Sequence, residues 1–116
     1  QELVDADGQR HAMAGLLPHR ACRGALSLGY RTAQVKRDGL VVRQGEVLHG
    51  HEFHRWQLDD SPMEAAPWQL EGWGVRSRVE GWTDAAVHAS WLHLRWGGCP
   101  SIPQRLTHAA GKWLSA

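Results

Sequence analysis

The chain reads as a β-rich α+β fold, and three observations carry that reading. Apolar and polar residues alternate across residues 26–35 and again across 47–58, the period of half-buried strands. One segment, from Ile102 to about Leu114, spaces Leu106, Ala109, Ala110, Trp113 and Leu114 as the apolar stripe of a helix does. Glycine, proline and aspartate punctuate the remainder at short intervals. With 116 residues, 42% of them apolar, the chain makes at most one domain around one core.

In order, residues 1–7 read as the end of a helix closed by the turn Asp7-Gly8. Residues 12–18 are apolar and stopped by Pro18, so they read as a buried strand. Residues 19–24 are polar and basic, a loop holding Cys22. The strand over 26–35 follows, and Asp38-Gly39 is a two-residue hairpin signal. The run from Leu40 to Arg43 continues at once, with Gly45 as a bulge, and residues 47–58 make one long strand. Residues 59–67, rich in Asp, Ser and Pro, make a loop. Residues 68–75 and 79–83 carry Gly72, Gly74 and Gly81 and read as short strands or a glycine-rich meander. Ala89-Ser90-Trp91-Leu92-His93-Leu94-Arg95-Trp96 reads as a buried strand with a histidine at its centre, broken by Gly97-Gly98-Cys99-Pro100. Ile102-Pro103 then opens the helix.

Composition excludes several classes of function. A formal charge of +1, with no basic run, gives no surface for tracking phosphates, so no nucleic-acid partner is expected. No run of about 18 apolar residues is present, so no membrane-spanning helix is expected either. Cys22 and Cys99 suit one disulfide or two free thiols of a cytosolic protein equally. The seven tryptophans could stack sugars or bases if exposed in a row; the plainer reading is that most fill the core or a subunit contact.

Two places carry chemical potential. His49-Gly50-His51-Glu52-Phe53-His54 is dense in ligand-type side chains. On a strand, His49 and His51 share one face and Glu52 and His54 the other. A metal would then draw only two ligands from either face, and the spacing is not that of a helical zinc pair. His93, in an apolar strand, suits either a satisfied core residue or a general base aimed into a cleft. Both cysteines are poor nucleophile candidates: Cys22 has no helical pattern after it, and Cys99, followed by Pro100, is closer to the helix start that activates a thiol but sits only a few residues past His93 on the same segment. No glycine-rich phosphate loop is present, so nothing here binds ATP by itself.

Four motifs in sequence carry a resemblance: Gly15-Leu16-Leu17-Pro18, Leu28-Gly29-Tyr30-Arg31, Gly50-His51-Glu52-Phe53-His54 and Ala89-Ser90-Trp91-Leu92-His93-Leu94. In order and spacing they resemble the C-terminal half of the glutamine amidotransferase domain of the cobyrinate a,c-diamide synthase family. The resemblance implies an α/β fold, the C-terminal portion of a flavodoxin-like class I amidotransferase domain. It implies a glutamine-, ATP- and Mg²⁺-dependent ligase that amidates the a and c acetates of a corrin acid in cobalamin biosynthesis, in the cytoplasm. In that family a cysteine attacks the glutamine amide, a histidine activates it, and backbone amides stabilise the oxyanion.

His93 matches the family's catalytic histidine, in a motif of the form Ala-Ser-Tyr-Leu-His-Leu-His. Trp91 stands where tyrosine is usual, and Arg95 where a second histidine is usual. Glu52 and His54 match the other motif as site-supporting residues. The glutamate that usually follows the histidine in class I triads is lacking in this subfamily, and Leu94 and Arg95 agree with that. The family's Cys-Gly-Gly turn is absent, as are its phosphate loop and synthetase domain. Residues 1–116 are therefore expected to be the C-terminal part of the domain, inactive alone. They would expose apolar surface to the remainder of the domain or a partner chain. Cobyric acid synthase is the nearest alternative, although Gly-Tyr-Glu-Ile-His would be expected there. A Trp-rich binding module without catalysis is the alternative from another class; it predicts a buried His93.

Overall fold

The structure, a computed structural model, describes residues 1–59 and 63–116. It is strand-rich, with a curled seven-stranded sheet, a separate two-stranded sheet and a C-terminal helix. The strands are β1 (Glu2–Val4), β2 (Arg10–Ala12), β3 (Arg20–Val35), β4 (Val47–Leu58), β5 (Trp68–Glu71), β6 (Arg78–Glu80), β7 (Trp82–Thr83), β8 (His88–Ala89) and β9 (His93–Leu94). A 3₁₀ turn at Trp96–Gly98 leads into α1 (Ser101–Leu114). Every described pairing is antiparallel except β1 with β3.

β3 is the spine. One edge of it pairs with β4 along almost its whole length. The other is shared, with β1 at Arg20–Cys22 and β5 at Thr32–Val35. This pairing draws residues 20–24, expected as a loop, into the strand: ladder bonds on both edges outweigh a polar composition. A register shift between Arg23 and Ser27 absorbs the mismatch with β4. The bounds of β4 match the expected strand.

Four other expectations are corrected. Residues 1–7 hold a strand and not a helix end, because β1 has β3 to pair with; Asp7-Gly8 is nonetheless a turn, with Gly8 at φ +79°. Residues 12–18 are not a buried strand: they leave β2 as an irregular stretch with Met13 and Leu16 exposed. Asp38-Gly39 does not close the hairpin. The connection runs over 36–46, folds Val41 and Val42 into the core, and turns at Gly45 (φ +90°), which is thus a turn and not a bulge. Gly39 is there for space, since a Cβ would lie 2.3 Å from Thr83 Oγ1. Finally, residues 89–96 are not one buried strand. The Ser90 hydroxyl accepts the Leu92 amide hydrogen at 2.8 Å, and this local bond bends the chain between β8 and β9. The expected loop over 59–67 has residues 60–62 outside the described residues.

The core gathers Ala33, Val35, Val41, Val42, Trp68, Leu70, Leu92, Cys99 and Ile102 into one cluster. α1 contributes only Ile102 as a buried residue, and Trp113 and Leu114 near its end are exposed. Of the seven tryptophans only Trp68 is fully buried; Trp73, Trp96 and Trp113 are exposed, on the turn after β5, the 3₁₀ turn and α1. Both cysteines are free thiols. Among the described residues no helix is long and apolar enough to cross a membrane.

Candidate active site

β4 divides two environments. Its register with β3 and β9 sets Tyr30, His51 and His93 in one row across the sheet, and Thr32 and His49 in the next. Residues directly opposite in an antiparallel pair share a face. Tyr30 meets His51 edge-on with centroids 5.2 Å apart, and Thr32 Oγ1 lies 3.4 Å from His49 Nδ1. These five side chains line an open cavity of about 580 Å³, with Arg95, Glu71 and Cys99 also at its wall. His93 is exposed, and its Nδ1–H donates to the His51 carbonyl at 3.0 Å. The Nε2 nitrogen has no protein partner among the described residues. Arg95 and Glu71 bring one charge of each sign to its wall, beside the ring nitrogens of the three histidines.

The other face of β4 is closed and ionic. Glu52 is fully buried. It accepts from Arg31 Nε at 2.7 Å, Arg78 at 2.5 Å, the Ser27 hydroxyl at 3.0 Å and His54 Nε2 at 3.0 Å. His54 also places Nδ1 2.8 Å from the Trp56 carbonyl. Burial pushes the Glu52 carboxyl up, but the hydrogen bonds of His54 and Arg78, the charge of Arg78 and the bond of Arg31 outweigh it and hold its pKa at about 2. Gly29, at φ +138°, makes room here, for a Cβ would lie 2.9 Å from Arg31 Nη1.

His93 therefore does not share a pocket with Glu52 and His54. They reach its segment through Trp91, whose ring stacks on His54 with centroids 5.3 Å apart. A second buried carboxylate, Glu80, holds the same segment. It accepts from Trp68 Nε1 at 2.8 Å, the Ser90 hydroxyl at 2.7 Å and the Trp91 amide at 2.9 Å. Sequence reasoning missed Glu80; its only signal was an acid between Val79 and Trp82 in an otherwise apolar stretch.

Neither cysteine suits nucleophilic attack. Cys99 lines the cavity, but its thiol donates to the Arg95 carbonyl at 3.2 Å and burial pushes its pKa up. Cys22 lies on β3 opposite Gln57, in the stretch of ladder beyond the register shift from the His51 row. Among the described residues no three His, Cys, Asp or Glu side chains converge to hold a metal ion.

Over most of its length the chain is similar to cobyrinate and hydrogenobyrinate a,c-diamide synthases. It is 40% identical over 111 residues to the cobyrinate a,c-diamide synthase of Synechocystis sp., a match covering 94% of this chain and 23% of that protein. It is 40% identical over 83 residues to the hydrogenobyrinate a,c-diamide synthase of Streptomyces coelicolor, covering 69% of this chain and 16% of that protein. It is 30% identical over 108 residues to the cobyrinate a,c-diamide synthase of Thermoplasma acidophilum, covering 91% and 24%. The chain thus spans about a quarter of the length of the first two curated relatives it matches. No protein-family model matches it, and no solved structure does.

Proposed function

From this kinship with the cobyrinate and hydrogenobyrinate a,c-diamide synthases, we propose that the chain is the C-terminal part of such an enzyme's flavodoxin-like glutamine amidotransferase domain, with His93 as the base of its glutaminase site. The observation that carries the role of His93 is its placement. It stands exposed at the wall of a cavity, anchored through Nδ1, with Nε2 left for chemistry. A non-catalytic module with a buried His93 is disfavoured by the same observation.

In this reading a cysteine from outside these residues attacks the glutamine carboxamide carbon. His93 Nε2 takes the thiol proton and hands it to the departing nitrogen. A glutamyl thioester and ammonia result. Water then cleaves the thioester to glutamate and restores the thiol. Ammonia goes on to acetate side chains of a corrin acid, whose activation by ATP with Mg²⁺ belongs elsewhere in the full, cytoplasmic enzyme. The relatives' names divide between cobyrinate and hydrogenobyrinate, and the a,c-diamidation is what they share. The exposed cross-strand pair Leu28 and Phe53, beside Tyr30, supports a protein partner on that face of the sheet, namely the rest of the domain.

Glutamate release from glutamine tests the reading on three proteins: the chain alone, the chain extended upstream by the segment bearing the cysteine turn, and the extended chain with His93→Ala. The expected result is activity in the second alone. A folded extended chain that keeps its rate without the His93 imidazole would remove His93 from the mechanism.

A further inference from the structure

β9 is two residues long and meets β4 only at Gly50 and His51. A Cβ on Gly50 would lie 2.8 Å from the His93 carbonyl oxygen, 2.8 Å from Leu92 Cγ and 2.9 Å from Leu92 Cδ1. Those separations are below contact distance, and neither neighbour can yield cheaply: one is backbone, and the other belongs to the buried core. Gly50 does not have a positive φ, so its backbone conformation does not demand glycine. The missing side chain is what the close approach requires. That approach puts the His93 ring where Nδ1 meets the His51 carbonyl at 3.0 Å.

A carbonyl oxygen only accepts, so the hydrogen of that bond sits on Nδ1 of His93. In a neutral imidazole the other nitrogen is then the bare one. Free histidine in water favours the opposite tautomer. The acid nearest on β4, Glu52, faces the other side of the sheet and is engaged by Arg31 and Arg78, so it cannot take the orienting role.

We infer that Gly50 and the His51 carbonyl form a positioning device that locks His93 in the Nδ1–H tautomer. The neutral ring then presents its Nε2 lone pair to the cavity. A peptide carbonyl fills the place a carboxylate holds in other histidine-based sites. The inference rests on the reading of His93 as the base, and it assigns to Gly50 a role that no contact of its own atoms reveals.

The test is the imidazole ¹H–¹⁵N long-range correlation spectrum of the full 116-residue chain, uniformly labelled with ¹⁵N and recorded where the rings are neutral. Wild-type His93 should show a protonated Nδ1 and a bare Nε2. In Gly50→Ala, with the amide spectrum of the β3–β5 core unchanged, this pattern should collapse towards a mixture with hydrogen on Nε2. Should Gly50→Ala not fold, the Gly50→Ala/Leu92→Ala pair removes the two Leu92 clashes and leaves only the carbonyl clash to be read. Hydrogen on Nε2 in the wild type overturns the inference. A folded Gly50 variant that keeps the wild-type tautomer overturns it as well. The spectrum needs no turnover. A locked tautomer in a chain whose extended form does not need His93 would defeat the functional reading alone. A His93-dependent enzyme with the other tautomer would defeat this inference alone.

Discussion

Replacing Glu52 by glutamine keeps the side chain's shape and removes its charge. Arg31, whose side chain is 1% exposed, would then be left buried with no carboxylate. The magnitude follows from the carboxyl's descent from its ordinary 4.5 to about 2. At 1.36 kcal/mol per unit, that difference is about 3 kcal/mol of stability at neutral pH. Breaking a buried pair by removing one partner gives a similar figure, about 3–5 kcal/mol. Against a total of about 5–15 kcal/mol for a small domain, this is a large fraction. Because the folded-state pKa is depressed, the contribution is complete above the ordinary value of 4.5 and fades as pH falls towards about 2. Urea unfolding followed by tryptophan fluorescence should therefore show a much lower midpoint for Glu52→Gln at neutral pH, at unchanged slope. The gap to wild type should narrow steadily on acidification. A gap below about 1 kcal/mol at neutral pH, the worth of one ordinary hydrogen bond, or a gap insensitive to acid, would refute the buried ionic cluster as a source of stability.

Glu80→Gln puts an amide NH₂ against one of three donors, so stability should drop by about 1–3 kcal/mol and hydrogen exchange at Trp91 and Leu92 should quicken in the folded protein; unchanged protection would deny Glu80 its hold on the His93 segment. Trp68→Ala empties the centre of the core and should cost about 3–5 kcal/mol by denaturant titration, whereas Trp73→Ala, at a side chain 97% exposed, should cost almost nothing. Arg105 chelates Glu46 and bonds the Val41 carbonyl, tying α1 to the start of β4. Arg105→Met should cost about 1 kcal/mol, read as a lowered thermal midpoint. The hydrogen bond from Arg105 holds the Glu46 carboxyl below its ordinary 4.5, so the loss should shrink as pH falls through that range.

The two longest strands and the helix were legible because their patterns are local. β4 alternates cleanly, and the split of His49 and His51 from Glu52 and His54 follows from strand periodicity alone. What sequence could not give was set by partners far along the chain. Residues 20–24 look like a loop until β1 and β4 are beside them. The apolar run at 89–96 looks like one strand until Ser90 bonds Leu92 and Glu80 takes Ser90 and Trp91. His93 was found through its motif; the cavity it faces depends on the pairing of β9 with β4, which two residues cannot announce.

The alternation along β4 has a consequence for anyone who would re-engineer this protein. Positions 49 and 51 look into the cavity, while 52 and 54 belong to the ionic cluster and 50 sets the spacing to β9. A combinatorial library restricted to 49 and 51, with Thr32 and Tyr30 across the ladder, would explore new ligands while the scaffold's own energetics stay fixed. Randomising the five consecutive residues 50–54 instead would yield mostly unfolded clones, because three of the five changes fall on the frame and not on the opening.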